Sequence, residues 1–452
     1  MTFREESDSM GVMRIPESAY YGPTTQRAVV NFQVSGDLLP MPLIHTIALI
    51  KKCGAAVHAE LGLIDSQMAQ AIIASAQEIL DGKMDSSFVV DVFQTGSGTS
   101  THMNVNEVIA SRANEMLTGR RGGKSPVHPN DHVNMGQSSN DVFPSAIHIT
   151  ALQEINSRLI PALKRLKESL ADKSIEFRDI RKIGRTHLQD AVPLTMGQEF
   201  SGFERQIEMD IQRLISVQPG LCELPLGGTA IGTGINTHPE FARRVIFRIA
   251  EATKLPFIEA VNHFEAQSAR DAVVATSGML KVIAVSLIKI ANDIRWLASG
   301  PRSGIGEISL PDLQPGSSIM PGKINPVIPE VVVQVAAQVI GNDATITFCG
   351  QGGHFQLSAM MPVMAYNLMK SLTLLSAVAD AFAEKCVSGI KVNSGKCRQN
   401  VENSLYMATA LSPIIGYDRA AYFARKAIET GLSIREVVAL EMDASDIPWE
   451  QL

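Results

Sequence analysis

Four stretches of this 452-residue chain gather small hydroxyl, amide and glycine residues around single basic groups. They are 94–104 (QTGSGTSTHMN), 128–141 (HPNDHVNMGQSSND), 184–190 (GRTHLQD) and 316–326 (GSSIMPGKINP). Together they supply hydroxyl and amide donors, a histidine and a lysine. Glycine-rich turns and helix starts add backbone N–H groups. That inventory suits a small molecule bearing carboxylates. Taken singly, each stretch has the composition of an ordinary turn or helix cap; four in one chain point to a common purpose.

Other chemistries lack their residues. The glycine-rich stretch 227–234 (GGTAIGTG) matches neither GxGxxG after a strand nor GxxxxGK[ST], and reads as a loop. There is no HExxH and no Cys/His cluster with ligand spacing. His128 and His132 are four apart, but Pro129 lies between them and acidic neighbours are thin. No standard nucleotide motif fits, and no bound metal is expected.

Helical periodicity dominates the elements that must carry these stretches. Ile155, Leu159, Leu163, Leu166 and Leu170 recur at steps of three and four, as do Met196, Phe200, Phe203, Ile207, Ile211 and Leu214. Leu368, Leu372, Leu375, Ala379 and Phe382 repeat the pattern. The proline-free run 263–299 predicts a long helix stopped by Gly300-Pro301. It holds two overlapping seams, one through Ile283, Leu287, Ile290, Ile294 and Leu297, the other through Leu280, Ala284, Leu287, Ala291, Ile294 and Ala298. Two seams on one helix mean contact on more than one side. With the segment after Pro329, about five long helices make an all-α central bundle. Helices so apolar bury a face against another subunit too, which predicts a homo-oligomer. The expected layout is a mainly helical domain at 1–137 with shorter helices, the long-helix bundle at 138–393, and a small helical domain at 394–452. The last should contain helices at about 417–430 and 434–442.

Composition excludes several classes. Hydrophobic residues make up 45% and charged residues 19%, a globular mix. A net charge of −6, with 2 Trp and 6 Tyr, provides neither a basic stripe nor a base-stacking surface, so no nucleic-acid partner is expected. Five scattered cysteines without a CxxC pair fit a reducing compartment. The start, MTFREESDSMG, does not read as a signal peptide. Lys281, Lys289, Asp293 and Arg295 interrupt the apolar stretch 279–297, so no membrane span is expected. These observations predict a soluble, cytoplasmic protein.

The loop GSSIMPGKINP resembles the signature of the fumarase/aspartase superfamily. With GRTHLQD, QTGSGT at 94–99 and VHPND at 127–131, it is similar to class II fumarate hydratases in particular. The resemblance runs nearly end to end, from YYG at 20–22 and TQR at 25–27 to IGY at 415–417. It implies reversible anti addition of water to fumarate, giving L-malate, without metal or cofactor. It also implies an all-helical homotetramer whose active sites are shared between subunits. On the matching positions Ser317 is the base. His187 acts through a water on the hydroxyl, and Glu330 is its acidic partner. Lys323 and Asn325 bind a substrate carboxylate with Ser318 beside them. Ser97, Gly98, Thr99, Ser138, Ser139, Asn140 and Thr186 surround the substrate. His128, Asn130 and Asp131 match a second anion site near the entrance. Gly316 and Gly322 suggest a loop that closes.

Aspartate ammonia-lyase shares the fold and the serine loop implied here. Its relatives tend to read QSTND where this chain has QSSND at 137–141, and tend to lack the TGSGT of 95–99. A catalytically silent structural homologue is disfavoured because Ser317, His187 and Lys323 are all present. Two departures stand out. The stretch 353–358 differs from GNFELN at His354, Gln356 and Ser358, and His102 stands where asparagine is more usual.

Overall fold

The apolar steps become buried helix faces. The computed structural model describes residues 2–443, Ile447 and Trp449. Residues 444–446, 448 and 450–452 of the expected C-terminal domain lie outside the described residues.

A hairpin of β1 (Phe3–Asp8) and β2 (Gly11–Pro16) leads into α1 (Pro23–Asn31), α2 (Met41–Glu60), α3 (Ser66–Leu80) and α4 (Thr99–Thr118). A π-turn at Pro129–Val133 precedes α5 (Ser139–Glu154), which runs on through another at Ile155–Leu159 into α6 (Ile160–Glu176). A second hairpin, β3 (Arg181–Thr186) and β4 (Gln189–Thr195), is followed by α7 (Met196–Cys222), α8 (Phe241–Thr253), α9 (His263–Ser268) and α10 (Asp271–Leu297). Then come α11 (Val327–Gly350), α12 (Met361–Lys385), α13 (Ser394–Asn403), α14 (Tyr406–Ile415), α15 (Tyr417–Thr430) and α16 (Ile434–Glu441). The five helices expected in the middle of the chain are α6, α7, α10, α11 and α12. Every residue of the seams of α6, α7 and α12 is buried. Burial of each Leu, Ile or Phe contributes about 1.5–3 kcal/mol.

Two expectations need correcting. The run 263–299 is two helices, because Ala269 is extended at φ −99°, ψ 156°. Arg270 turns its side chain inward, only 1% exposed, and donates to the Ala266 carbonyl at the end of α9. Its own carbonyl accepts the first N–H groups of α10. The helices before residue 137 are also not all short: α2 and α4 have 20 residues each.

The chain divides into two compact units. The first comprises Met1–Pro161, Gln212–Ala284 and Ala337–Ser376; the second comprises Ala162–Ile211, Val285–Ala336 and Ala377–Leu452. In the first, α2 packs on α3, α5 and α8. In the second, α13 packs on β3, and α14 packs on β4 and α15. Met407, Leu411, Phe423 and Val438 form the small core of that last group. By length and composition alone, α10 and α11 could cross a membrane; half of the most apolar window of α10 is buried in the chain and a third of that of α11. The interrupting charges of α10 are engaged: Lys281 pairs with Asp343 at 2.6 Å and Lys289 with Asp293 at 2.5 Å.

Candidate active site

The first group of candidate residues joins two helix starts in the first unit. Gly98 is the N-cap of α4 at φ +75°, and a Cβ there would stand 2.4 Å from Cδ2 of Phe143 in α5. Only glycine combines that backbone with that approach. The two helix starts thus lie together, linked by hydroxyls: Ser97 Oγ to Thr99 Oγ1 at 2.8 Å, and Thr99 Oγ1 to Ser139 Oγ at 2.6 Å. Ser138 caps α5 through a capping box with Asp141. The Asn140 amide donates to the Ala230 carbonyl at 2.8 Å. Neutral hydroxyls and free N–H groups at helix starts attract an anion without a competing cation.

Asp141 holds this arrangement from beneath. Its Oδ1 accepts the Ser138 N–H at 2.9 Å, and its Oδ2 accepts those of Gly227 and Thr229 at 2.9 and 3.0 Å. The stretch 227–234 is therefore a structural loop pinned to the start of α5. Burial pushes the Asp141 carboxyl up to about 6, against the pull of those N–H donors and of Lys51.

The second group sits on the β3–β4 hairpin in the second unit. Pairing of Thr186 with Gln189 leaves His187 and Leu188 as a two-residue turn at φ +55° and +59°. Positive φ at both residues is the geometry of a type I′ turn, usually filled by Asn and Gly. A histidine and a leucine there carry backbone strain of the kind found at functional positions. Thr186 and His187 are exposed at the tip. The neighbouring Arg185 is clamped: its Nη1 and Nη2 donate to the two oxygens of Glu307 at 3.0 and 2.7 Å. Glu307 is fully buried and also accepts from Asn400 Nδ2 at 2.9 Å, with Lys182 Nζ 3.4 Å away. Burial works against its charge, yet Arg185, Asn400 and Lys182 hold its carboxyl below the usual range.

The third group is the loop 316–326, also in the second unit. Its base is tied by Gly316 N–H to the Lys323 carbonyl at 2.8 Å and by Asn325 Nδ2 to the Gly316 carbonyl at 2.7 Å. A Cβ on Gly316 would meet that Lys323 oxygen at 2.4 Å. Inside the loop, Ser317 Oγ accepts the N–H groups of Ile319 and Met320 at 3.2 and 3.0 Å. Two such donors favour the oxyanion form of this hydroxyl. Ser318 and Lys323 are exposed, and among the described residues Lys323 makes no ion pair. Lys323, Asn325 and Glu330 line a cavity of about 870 Å³, together with Arg295 and Trp296. Among the described residues, no hydrogen bond or ion pair joins His187 to Glu330 or to Ser317.

His128, Asn130 and Asp131 lie together on the π-turn. His128 Nδ1 accepts the N–H groups of Asn130 and Asp131 at 3.1 Å each, so the ring proton sits on Nε2. Burial lowers the basicity of this imidazole, against the opposing pull of Asp131. Sequence reasoning overlooked Lys51, Asp141, Lys182, Arg185 and Glu307. Lys51 had a signal, since it occupies an apolar step of α2 after Ile44, Ile47 and Ala48, where a charge is out of place.

Comparison with known proteins shows the family of the chain. Residues 11–341 match a lyase family model, and residues 407–446 match the model of the fumarase C C-terminus. A class II fumarate hydratase of Nitrosomonas europaea is 54% identical over 434 residues, covering 96% of this chain and 94% of that protein. The class II fumarase of Schistosoma mansoni has a solved structure similar to this one at a TM-score of 0.94, with 38% identity over 97% of this chain and 95% of that one. A fumarate lyase:delta crystallin of Brucella melitensis, solved bound to cobalt, reaches a TM-score of 0.93 with 47% identity, covering 98% of this chain and 97% of that one.

Proposed function

The chain belongs to the class II fumarate hydratase family of lyases, and from that premise we propose that it adds water reversibly, in the anti sense, across fumarate to give L-malate. No metal or organic cofactor takes part in this scheme. In the dehydrating direction Ser317, as its alkoxide, removes a proton from the methylene carbon of L-malate. The resulting aci-carboxylate carries two negative charges, so the site must stabilise charge that develops in the transition state. Lys323 and Asn325 supply that stabilisation, with Ser318 beside them. The other carboxylate lies at the paired helix starts, against Ser97, Thr99, Ser138, Ser139, Asn140 and the Gly98 backbone, and Thr186 is a further donor to the substrate. His187, working through a water and oriented by Glu330, protonates the departing hydroxyl, which leaves as water.

The observation that carries this reading is the serine loop. Two backbone N–H groups point at Ser317 Oγ, and the exposed Lys323 ammonium lies in the same turn. A serine is a weak base unless its alkoxide is stabilised, and both features favour that form. We further read the working protein as a cytoplasmic homotetramer in which neighbouring chains complete each site. The apolar helix α11, with only a third of its most apolar window buried in its own chain, supports that reading.

The test is direct. Purified protein is incubated with L-malate or with L-aspartate, in the presence of a chelator, and fumarate is followed by ultraviolet absorbance. Fumarate from malate is expected. Fumarate from aspartate alone would replace the hydratase with an ammonia-lyase, and silence with both would favour a structural homologue.

A further inference from the structure

Lys51 has no counterpart in the scheme above. It lies in α2, fully buried, beneath the turn that leads into Ser138. Its Nζ is surrounded by three uncharged partners: His102 Nε2 at 2.5 Å, Asn134 Oδ1 at 2.8 Å and Gln137 Oε1 at 3.0 Å. Asn134 and Gln137 hold the turn in their own right. Asn134 Nδ2 donates to the Gln137 carbonyl, and Gln137 Nε2 donates to the carbonyls of Val133 and Met135, each at 3.2 Å. The next residue, Ser138, is the cap of α5. Lys51 is thus the buried hub on which the 133–137 turn is wound.

The hub works in either protonation state. An ammonium donates three N–H bonds to the three partners, with the histidine proton on Nδ1. A neutral amine donates to Asn134 and Gln137 and accepts from a histidine protonated at Nε2. His102 serves both by changing tautomer, so the grip on the turn is the same in each. Burial drives Lys51 well below its usual range, and the buried Asp141 carboxylate opposes that drop. Burial and Lys51 together keep His102 far below its ordinary value, and so neutral.

We propose that Lys51, partnered by His102, is a positioning residue for substrate binding, holding Asn134 and Gln137 so that Ser138, Ser139 and Asn140 are set for the substrate carboxylate. This rests on the reading that those three residues bind it. They contact a carboxylate that is present in ground and transition state alike. Loosening the turn therefore weakens both equally, and raises KM with little change in kcat.

The experiment measures kcat, KM for L-malate and melting temperature for Lys51→Met, His102→Leu, His102→Asn and Asn140→Ala in the full-length enzyme. Lys51→Met is expected to raise KM by about tenfold or more while kcat stays near wild type. His102→Leu, which leaves Nζ one partner short, should raise KM by a smaller factor. His102→Asn should restore most of that loss, since an amide can accept or donate. If Lys51→Met does not fold, the contrast between Leu and Asn at position 102 carries the test alone. A raised KM in Asn140→Ala, with wild-type KM in folded Lys51→Met and His102→Leu, overturns the role of Lys51. An unchanged KM in Asn140→Ala instead overturns the reading of the turn as a substrate site.

Discussion

Glu307→Gln tests whether a buried charge positions the His187 turn. The wild-type carboxylate accepts two bonds from Arg185 and one from Asn400, with Lys182 close by and no solvent contact. An amide of the same shape turns one acceptor into a donor facing those cations. Removing one partner of a buried ion pair costs about 3–5 kcal/mol. The lower end applies here, because Lys182 keeps Glu199 and the Arg185 side chain is 17% exposed. For a domain of this size 1 kcal/mol moves the melting point by about 2–4 °C, so a fall of about 6–12 °C is expected. The kinetic effect should fall on kcat, since Arg185 lies two residues before His187 on the hairpin. A shift of about 1 Å in a catalytic group costs up to about 10²-fold. Glu307 is held below its ordinary range, so its stabilisation is complete above the unfolded glutamate value and is lost as pH falls through the folded one. The melting-point gap between wild type and variant should therefore close in acid. Scanning calorimetry across pH, with initial rates on L-malate, reads both effects. A variant with unchanged melting point and wild-type kcat would refute the reasoning.

Three further outcomes follow from other parts of the molecule. Gly98→Ala forces a Cβ onto Phe143 at positive φ, and should cost about 2–4 kcal/mol and most of the activity, read by thermal melting and turnover. Asp91 is nearly buried, and although burial opposes its charge, the N–H groups of Phe93, Gly36 and Ser35 and the Ser35 hydroxyl lower its carboxyl to about 2. Asp91→Asn should cost about 2 kcal/mol at neutral pH, a difference that fades as pH falls from the unfolded value of 3.8 towards 2 in acid denaturation. Phe348, 65% exposed on α11, belongs to the apolar face read as an intersubunit surface. Phe348→Asp should give a smaller, inactive species by light scattering, and an unchanged size would remove that helix from the interface.

The sequence was most informative where apolar spacing was regular. The seams of α6, α7 and α12 are buried at every residue named, and α15 and α16 end within a residue of the expected limits. The serine loop was legible as a motif because glycine, proline and hydroxyl residues crowd it. Features set by single buried polar groups were not legible. The break between α9 and α10 depends on Arg270 turning inward, which periodicity cannot register. The His187–Leu188 turn lacks the Asn-Gly signal of its type, so the hairpin was hidden. Helix α4 buries Asn104, Asn106 and Glu107 on a face that reads as polar, which masked its length. Glu307 looks like a surface charge until its three-dimensional partners enclose it.

The central claim is that Ser317 takes the proton. Ser317→Ala, with L-malate binding followed by calorimetry and fumarate formation by absorbance, tests it most directly. A general base contributes about 10²–10⁴-fold, so kcat should fall by at least the lower factor while malate affinity stays close to wild type. A variant that binds malate and turns it over at nearly the wild-type rate would contradict the account.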